Sequence, residues 1–423
     1  MAIDYRLVAL GALALGGLLA GVYGLNMKQA EPPAAARAPL AQSPQPAPSP
    51  LAQPPQPAPS PVQAPAGAQP SEPLIEGKVG ASEAPNAGFT HFRVGNRNVK
   101  RIFIDGDKVW VGTSGGVIRY SIAGDEYKLY DARSGLLSNA ILYVGKLRGR
   151  IVAGTNGGGM SLLDPGSEKW ETYNAPEGLG DAFVHDVLEA SNGDAWIATR
   201  SGAYRVRGGA LRDRSKWQPY TVESTKSGLP DDRVYGLAEG RNGDIWLATH
   251  GGMARYRKGA WESWDHAKGL GAPYEKVKEG ANFKTDPARV PPHPAKQKEA
   301  TAPRHIDIAY DPNYIVSLAV DRAGTVWAGT WGAGLARYDG KQWKNQTTAE
   351  GLPGNHVFML HLDAEGRLWI GTNNGLARMQ GGKFKVLTTR DGLFANAVFS
   401  MASSGKSIWV GGFGGVAQIR RID

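Results

Sequence analysis

The stretch WIGTNNGLARM, from Trp369 to Met379, decides the fold because the chain repeats it. Each copy has an apolar strand, a Gly-Thr or Ala-Thr ending, one changeable residue, a Gly-rich turn and a second short strand. The other copies are WVGTSGGVIRY (110–120), VAGTNGGGMSL (152–162), WIATRSGAYRV (196–206), WLATHGGMARY (246–256), WAGTWGAGLARY (327–338) and the degenerate WVGGFGGVAQI (409–419). Repeats of about 40 to 45 residues with this content predict a β-propeller, since one four-stranded sheet cannot bury both faces without neighbours.

An aromatic strand follows the turn in the first four units and completes each predicted unit. It reads YKLY at 127–130, WETY at 170–173, WQPY at 217–220 and WESW at 261–264. The last unit lacks this strand, whereas FTHF at 89–92 has its spacing and precedes the first inner strand. We therefore expect an all-β fold over residues 89–423, a seven-bladed β-propeller closed by the N-terminal strand from Phe89.

The first 88 residues differ in kind from the repeats. Leu7 to Leu25 carry no charge and are long enough to cross a bilayer, which predicts a transmembrane anchor at residues 1–28. A cleaved signal peptide is the alternative, although the segment after Val22 offers no clear cleavage site. Residues 29–88 are rich in Pro and Ala and predict an extended linker. We expect a single-pass protein of the inner (cytoplasmic) membrane with its propeller in the periplasm or outside the cell.

Composition limits the partners and the chemistry. The formal net charge is +9, and the excess of basic residues lies in the repeats, since residues 1–88 hold four Lys or Arg against five Asp or Glu. A positive surface favours an anionic partner such as an acidic glycan or a phospholipid headgroup, and no nucleic-acid module is present. The chain has no Cys, which excludes disulfides, thiolate metal sites and a Cys nucleophile. We expect no cofactor or metal and assign no catalytic residue.

One position in the repeated turn varies freely, and it gives the candidate ligand-binding set. Gly supplies the positive φ that the turn requires, whereas the residue after Thr is not constrained by the backbone. A mixed ring of polar, cationic and aromatic side chains suits a polar ligand with apolar faces, although rim residues also vary for solubility alone. We expect Trp331 to be exposed and dispensable for packing, and to contact the ligand with Arg200 and His250. The full set is Ser114, Asn156, Arg200, His250, Trp331, Asn373 and Phe413.

An insertion separates the fourth and fifth copies. The interval from Thr249 to Thr330 is close to twice the others, and the excess lies at residues 271–312. The segment is rich in Pro and Lys and should lie on the same face as the variable turns. Long loops on a rigid scaffold are typical of lids and partner-binding elements, and disorder is the alternative.

Several motif matches have the wrong context for chemistry. Gly112–Gly116 fits a nucleophile elbow and Gly412–Ala417 fits a dinucleotide fingerprint, but we expect two strands to flank each. His185 occupies an inner-strand position where other copies place Tyr or Phe, which favours packing or channel lining. Asp321 and Asp363 open hairpins and are interpreted as turn residues.

The unit from Gly351 to Arg378, with a degenerate copy from Gly228 to Arg255, resembles the two-component regulator propeller repeat. The resemblance implies a periplasmic sensor propeller, often one that recognises carbohydrate fragments and is coupled to a histidine kinase. This chain has no kinase or DNA-binding output, so sensing would need a partner protein. We expect a membrane-anchored, extracytoplasmic ligand- or protein-binding propeller that acts through its loop face. The alternatives are a propeller enzyme, a lyase or hydrolase similar to the streptogramin lyases, and a scaffold subunit of a cell-envelope complex.

Overall fold

The computed structural model describes residues 76–78, 82–83, 88–278, 310–405 and 407–420. Their regular structure is almost entirely β-strand. The strands as far as the end of the first repeat are β1 (Glu76–Lys78), β2 (Ser82–Glu83), β3 (Phe89–Asp105), β4 (Lys108–Thr113), β5 (Gly116–Ser121) and β6 (Glu126–Tyr130).

Five four-stranded antiparallel sheets follow, which we number repeats 2 to 6. Repeat 2 contains β7 (Ile141–Leu147), β8 (Arg150–Thr155), β9 (Met160–Leu163) and β10 (Trp170–Tyr173), and repeat 3 contains β11 (Val184–Glu189), β12 (Ala195–Thr199), β13 (Gly202–Val206) and β14 (Trp217–Tyr220). Repeat 4 contains β15 (Val234–Glu239), β16 (Ile245–Thr249), β17 (Gly252–Arg257) and β18 (Ala260–Trp264). Repeat 5 contains β19 (Asp311–Val320), β20 (Val326–Trp331), β21 (Leu335–Tyr338) and β22 (Trp343–Gln346), and repeat 6 contains β23 (Val357–Leu362), β24 (Leu368–Thr372), β25 (Gly375–Gln380) and β26 (Lys383–Leu387).

The last repeat contains β27 (Ser400–Ser404), β28 (Ser407–Gly411) and β29 (Phe413–Ile419). The helical segments are short and lie in the loops. They are the α-helical turn α1 (Tyr274–Val277) and the 3-10 turns Ala132–Ser134, Ala175–Glu177, Arg207–Gly209, Arg214–Lys216, His266–Lys268 and Thr348–Glu350.

The long strand β3 belongs to two repeats at once. Its first part pairs antiparallel with β29, with Phe89 opposite Ile419 and Phe92 opposite Val416. Its second part, from Val99, pairs with β4 and is the inner strand of repeat 1. The pairing predicted for the segment from Phe89 is therefore confirmed, and β3 joins the first and last repeats in one nine-stranded sheet.

Adjacent repeats pack face to face through apolar clusters. The inner strands β3, β7, β11, β15, β19, β23 and β27 contact one another in turn, and β27 returns to β3. The cluster at this return holds Phe92, Val99 and Trp409, each less than a tenth exposed. The fold is a propeller-like arrangement of repeated four-stranded sheets, as the sequence predicts.

Buried Thr side chains explain the Gly-Thr motif. The hydroxyl of Thr113 donates to the carbonyl of Gly116 at 2.8 Å, and Thr249 does the same to Gly252 at 2.8 Å. In Gly252 the backbone φ is +132°, and a Cβ there would lie 2.2 Å from the carbonyl oxygen of Trp264. The turn therefore needs a hydroxyl at its start and Gly at its end, whereas the residue after Thr is unconstrained.

A repeated Trp–Arg pair explains the rest of the motif. Trp369 lies opposite Arg378 in neighbouring strands, and the guanidinium lies 5.5 Å from the ring centroid. In repeat 4 the guanidinium of Arg255 lies 5.4 Å from Trp246 and 5.5 Å from Trp264. These cation–π contacts cross three strands of one sheet and stabilise its register. The Trp residues of these second strands, such as Trp246 and Trp369, are buried and pack between the sheets.

The sequence matches to a nucleophile elbow and a dinucleotide fingerprint lie between β-strands, as predicted. Ser114 lies in the turn between β4 and β5, and β28 and β29 flank Gly412. Asp363 accepts hydrogen bonds from the backbone of Arg367 at 2.8 Å and from the indole of Trp369 at 2.8 Å. Asp321 accepts in the same way within its own hairpin. Both carboxylates act in turns, as interpreted from the sequence.

Two short strands correct the predicted linker at residues 29–88. β1 pairs with β6 at the outer edge of repeat 1, and β2 pairs with Thr90 and His91 of β3. The end of this segment is therefore attached to the sheet. Pro-rich composition upstream masked the strands, because β1 has no alternating apolar pattern that sequence analysis could detect.

The predicted insertion at residues 271–312 is attached to repeat 5 at both ends. The N–H of Ala272 donates to the carbonyl of Ala333 at 2.9 Å, and the hydroxyl of Tyr310 donates to Ala272 at 2.7 Å. Ala272, Val277, Tyr310 and Ala333 form a small buried cluster. Since Ala333 lies in the turn between β20 and β21, both ends lie on the predicted face; residues 279–309 lie outside the described part of the chain.

In the part of the chain that the structure describes, no helix is long and apolar enough to cross a membrane. The predicted anchor at residues 1–28 lies outside that part.

An ion-pair network connects the outer strands of repeats 1 and 2. Glu168, in the turn between β9 and β10, accepts from Lys128 at 2.6 Å and from Arg119 at 2.7 Å. These hydrogen bonds, with that from Lys128 the strongest, lower the pKa of Glu168 to about 2. The network spans the boundary between two sheets, so it contributes to their docking.

We predict that Glu168→Gln reduces stability by about 1 kcal/mol at neutral pH, because solvent screens this partly exposed network. The native pKa lies below the unfolded value, so the stabilisation is present above about pH 4.5 and is lost as the pH falls towards 2. Urea unfolding should show that the free energy of unfolding falls less between about pH 4.5 and 2 in Glu168→Gln than in the unaltered chain. Glu223→Gln, at an exposed carboxylate without an ion pair among the described residues, is the control; identical pH profiles for the Glu168 variant and the unaltered chain would contradict the assignment.

Candidate functional site

The variable turns and the loops between repeats lie at one edge of the sheets. Strands alternate in direction, so the turn after the second strand and the loop after the fourth strand open on the same side, which we call the loop face. Each inner strand begins at this edge. The side chains near the start of the inner strands therefore meet the variable turn residues around the centre of the loop face.

Six inner strands have a β-bulge at the same place, and the bulge changes the direction of one side chain in each strand. The ladder shifts register between the first and third residues, for example between Val99 and Arg101 in β3 and between Val234 and Gly236 in β15. Bulges of this kind re-aim a side chain out of the ladder. The residues between the shifted positions are Lys100, Leu142, His185, Tyr235, Val316 and Phe358.

Aromatic rings form a continuous belt on the loop face, from repeat 3 to the last repeat. The ring centroids follow one another at 4.9, 4.7, 5.4, 5.8, 5.1 and 4.8 Å. His250 stacks on Tyr314 at 4.5 Å, and His356 meets Trp331 edge-on at 5.3 Å. We call the following seven side chains the aromatic belt: His185, Tyr235, Tyr314, Trp331, Phe358, Phe399 and Phe413.

The predicted site residues divide into two groups. His250, Trp331 and Phe413 contact or belong to the aromatic belt. Arg200 is exposed, and its guanidinium lies 3.8 Å from the ring centroid of Phe183. This guanidinium has no ion pair with a carboxylate among the described residues.

The other predicted positions serve the local backbone. The hydroxyl of Ser114 accepts from the N–H of Asn98 at 3.2 Å, and the side chain of Asn373 accepts from His356 at 3.4 Å. Asn156 is exposed, and its N–H and carbonyl both bond within the adjacent loop. These three residues are placed at the rim but have no ring contact with the belt.

The expectation that Trp331 stands free of packing is wrong. Its ring is only partly exposed, since it stacks on Tyr314 at 5.4 Å and also contacts His356 and Phe358. Aligning the turns alone could not show this, because Tyr314 follows the insertion and His356 comes from the next repeat. Trp331 therefore both packs and presents ring surface.

We call the centre of the loop face, where the aromatic belt lies, the mouth. Three residues of the mouth were not predicted from the sequence: Lys100, Tyr314 and His356. Tyr314 lies in β19 where the ladder shifts register between Asp311 and Ile315, so it does not align with Tyr235 at the bulge of β15. Lys100 aligns with His185 and Phe358 once the bulge is recognised. For Lys100, the signal available in the sequence was its position two residues before the apolar Ile102, which matches the position of Tyr235 before Leu237.

A charged pair lies just below the belt. A carboxylate oxygen of Asp186 in β11 is 3.7 Å from a guanidinium nitrogen of Arg101 in β3, two repeats away, and Arg101 lies 5.0 Å from the ring of Tyr143 in between. Burial raises the pKa of Asp186, while Arg101 and the N–H of Leu237 oppose that shift. Arg101 thus reaches across the inner strands, and half of its side chain remains exposed.

Two histidines of the mouth, His185 and His250, have lowered pKa values. Burial lowers the pKa of His185 to about 4, and Arg200 lowers it further while Asp181 acts in the opposite sense. Burial, with Arg233 nearby, also lowers the pKa of His250. At neutral pH both imidazoles therefore behave as aromatic, hydrogen-bonding side chains rather than cations.

Other features of the described residues lie away from this mouth. A groove of about 650 Å³ is lined by Trp261, Trp264, Glu262, Lys268 and the loop 225–228, on the outer strand of repeat 4 rather than at the belt. Within the described ranges no group of three or more His, Asp or Glu side chains could hold a metal ion.

We predict that Trp331→Ala lowers stability by about 1 to 3 kcal/mol, because it removes stacking from a half-buried ring. Trp369→Ala should cost about 3 to 5 kcal/mol, since that ring is fully buried. Urea unfolding of the full chain followed by circular dichroism compares the two variants. Equal losses would show that Trp331 is a core residue and not part of an accessible mouth.

Comparison with known proteins identifies the repeat. Residues 228–251, 309–332 and 351–374 match the family described as two component regulator propeller. The predicted resemblance is confirmed, and two of the three segments coincide with the units quoted from the sequence. No curated protein matches the chain.

Solved structures share the fold at low identity. The extracellular domain of a hybrid two-component system from B. thetaiotaomicron is 20% identical with a TM-score of 0.58, over 77% of this chain and 39% of that one. Virginiamycin B lyase from Staphylococcus aureus is 12% identical with a TM-score of 0.52, over 83% of this chain and 99% of that one. YCF48 from Cyanidioschyzon merolae is 11% identical with a TM-score of 0.52, over 79% and 98%. The chain thus spans well under half of the first of these proteins, and the likenesses show the fold alone.

Proposed function

We propose that this chain, which carries two-component regulator propeller repeats, is a sensor-like, extracytoplasmic binding propeller that acts through its loop face. The similarity to extracellular sensor domains supports the sensor-like role. The same similarity supports the proposed location outside the cytoplasm. Membrane attachment through residues 1–28 and a Pro-rich linker from residue 29 complete the proposal.

We also propose that the ring has seven blades, with the nine-stranded sheet counted as two. The double pairing of β3 supports this count. The apolar clusters give further support, because each one joins neighbouring repeats and one joins the last repeat to the first. Closure removes the open edges that an incomplete ring would leave.

The surroundings of Arg200 are the observation that best supports the binding role. Its guanidinium carbon lies over the ring of Phe183, 3.8 Å from the centroid, and the residue is exposed on the loop face. Arg212, which is exposed in the loop between β13 and β14, by contrast has a carboxylate, since its guanidinium lies 2.8 Å from Glu171. A stacked guanidinium without a carboxylate is pre-organised to accept a planar anion such as a carboxylate or phosphate.

The ligand we propose is therefore anionic and has faces that can stack on the aromatic belt, as an acidic glycan or a protein segment does. Arg200 supplies the charged contact. Trp331 and His250, neutral at physiological pH, supply ring surface and hydrogen bonds. The partner that would relay the signal is a protein of the cell envelope.

Binding by the full chain in detergent tests this role. We expect it to retain ligands from an array of acidic and neutral envelope glycans or from an extract of envelope proteins, and Arg200→Gln to weaken that retention at least tenfold. Arg212→Gln is the matched control, because it removes an exposed guanidinium outside the loop face. Retention by Arg200→Gln equal to that of the control, or no retention from either source, would contradict the proposal.

A further inference from the structure

Among the described residues, Lys100 is a cation without a carboxylate partner, and it lies at the junction of the first and last repeats. It lies on β3 at the bulge, where this strand has just left β29 and begins to pair with β4. Its ammonium has neither a hydrogen bond nor a carboxylate within ion-pair distance among the described residues. The contact that it makes is with a ring: Nζ lies 5.3 Å from the centroid of Phe399.

The surface around Lys100 is apolar. Phe399 packs on Phe358 at 5.1 Å and on Phe413 at 4.8 Å. Phe413 is 37% exposed, and it lies opposite Asn98, two residues before Lys100. These three Phe rings offer no hydrogen-bonding atoms, in contrast to the His, Tyr and Trp rings of repeats 3 to 5. This end of the aromatic belt therefore joins an ammonium to a partly open Phe surface.

Two other Lys side chains of repeats 1 and 2 differ from Lys100. Lys146, on the next inner strand, contacts Asp105 at 2.9 Å, and Lys108 contacts Asp107 at 3.0 Å. Lys100 is open to solvent at the mouth, yet the protein atoms around it displace enough water to lower the pKa of its ammonium. Because Lys100 is exposed and has no carboxylate among the described residues, an anion can reach its ammonium and form a charge-assisted hydrogen bond there.

We propose that Lys100, Phe399 and Phe413 form a binding site for a carboxylate carried by an apolar or aromatic group. The carboxylate meets the ammonium, and the apolar group covers the Phe rings. Hydroxyl-rich sugars are disfavoured at this end of the belt, because their hydroxyls would lose water without gaining a partner on Phe. The inference rests on the proposed function, since it assigns a ligand class to one part of the loop face.

Two sources share this chemistry, and probes can separate them. A free aryl carboxylate is represented by 3-phenylpropionate, and the C-terminal residue of a peptide is represented by N-acetyl-L-phenylalanine. The matched neutral probes are 3-phenylpropionamide and N-acetyl-L-phenylalaninamide. Each pair differs only in the charge that Lys100 is proposed to recognise.

The experiment measures the affinity of the full chain in detergent for the four probes by ligand-observed NMR titration. We expect each acid to bind at least tenfold more tightly than its amide. Lys100→Met, which keeps the length of the side chain, should abolish this preference, and Lys100→Arg should retain it. Phe413→Ser should weaken acids and amides alike, because it removes apolar surface and no charge.

Lys146→Met is the matched control, because it removes an inner-strand ammonium that already has a carboxylate. It should leave the preference for acids unchanged. Unchanged thermal unfolding of Lys100→Met would show that any loss concerns the site and not the fold. Whichever acid binds more tightly identifies the source and supports the site.

Two results would overturn the inference. One is equal affinity for acid and amide in the unaltered chain, or no binding of either. The other is an acid preference that survives in Lys100→Met. Both failures can be distinguished from failure of the proposed function. The retention assay with Arg200→Gln uses none of these probes, so retention that depends on Arg200 would persist even if the Lys100 site does not exist.

Discussion

The double pairing of β3 is the constraint on which the rest of the structure depends. A row of four-stranded sheets has two exposed ends, and each end sheet would leave one apolar face in water. Because one strand completes the last repeat and begins the first, both ends bury against each other through Phe92, Val99 and Trp409. The circle of inner strands, and with it the mouth on the loop face, exists only if this junction holds.

The same junction gives the mouth its asymmetry. Repeats 3 to 5 contribute Tyr, His and Trp rings and the stacked Arg200, whereas the junction contributes Lys100 and a Phe surface. Below them Arg101 reaches from repeat 1 to the buried Asp186 of repeat 3. A circle of strands can hold such different groups at fixed separations, because the bulge at the start of six inner strands directs one residue out of each ladder.

Much of the fold could be predicted because its signals are local. Thr249 and Gly252 form a turn that any copy of the motif must form, and Trp369 and Arg378 face each other across adjacent strands. The site was less predictable, since its contacts join residues distant in the chain. Trp331 appeared free when the turns were aligned, yet its ring packs on Tyr314, beyond the insertion, and on His356 of the next repeat. β1 escaped detection because an outer strand that pairs along one edge needs no apolar pattern.

The most direct test of the junction uses the absence of Cys from the chain. Thr90 lies opposite Gln418 where β3 pairs with β29, so the double variant Thr90→Cys, Gln418→Cys places two thiols on facing strands. Under mild oxidation we expect an intramolecular disulfide in most molecules, formed at the same rate over a range of protein concentrations, and a raised Tm. Disulfides that form mainly between molecules, or thiols that remain free in the folded protein, would contradict closure by β3.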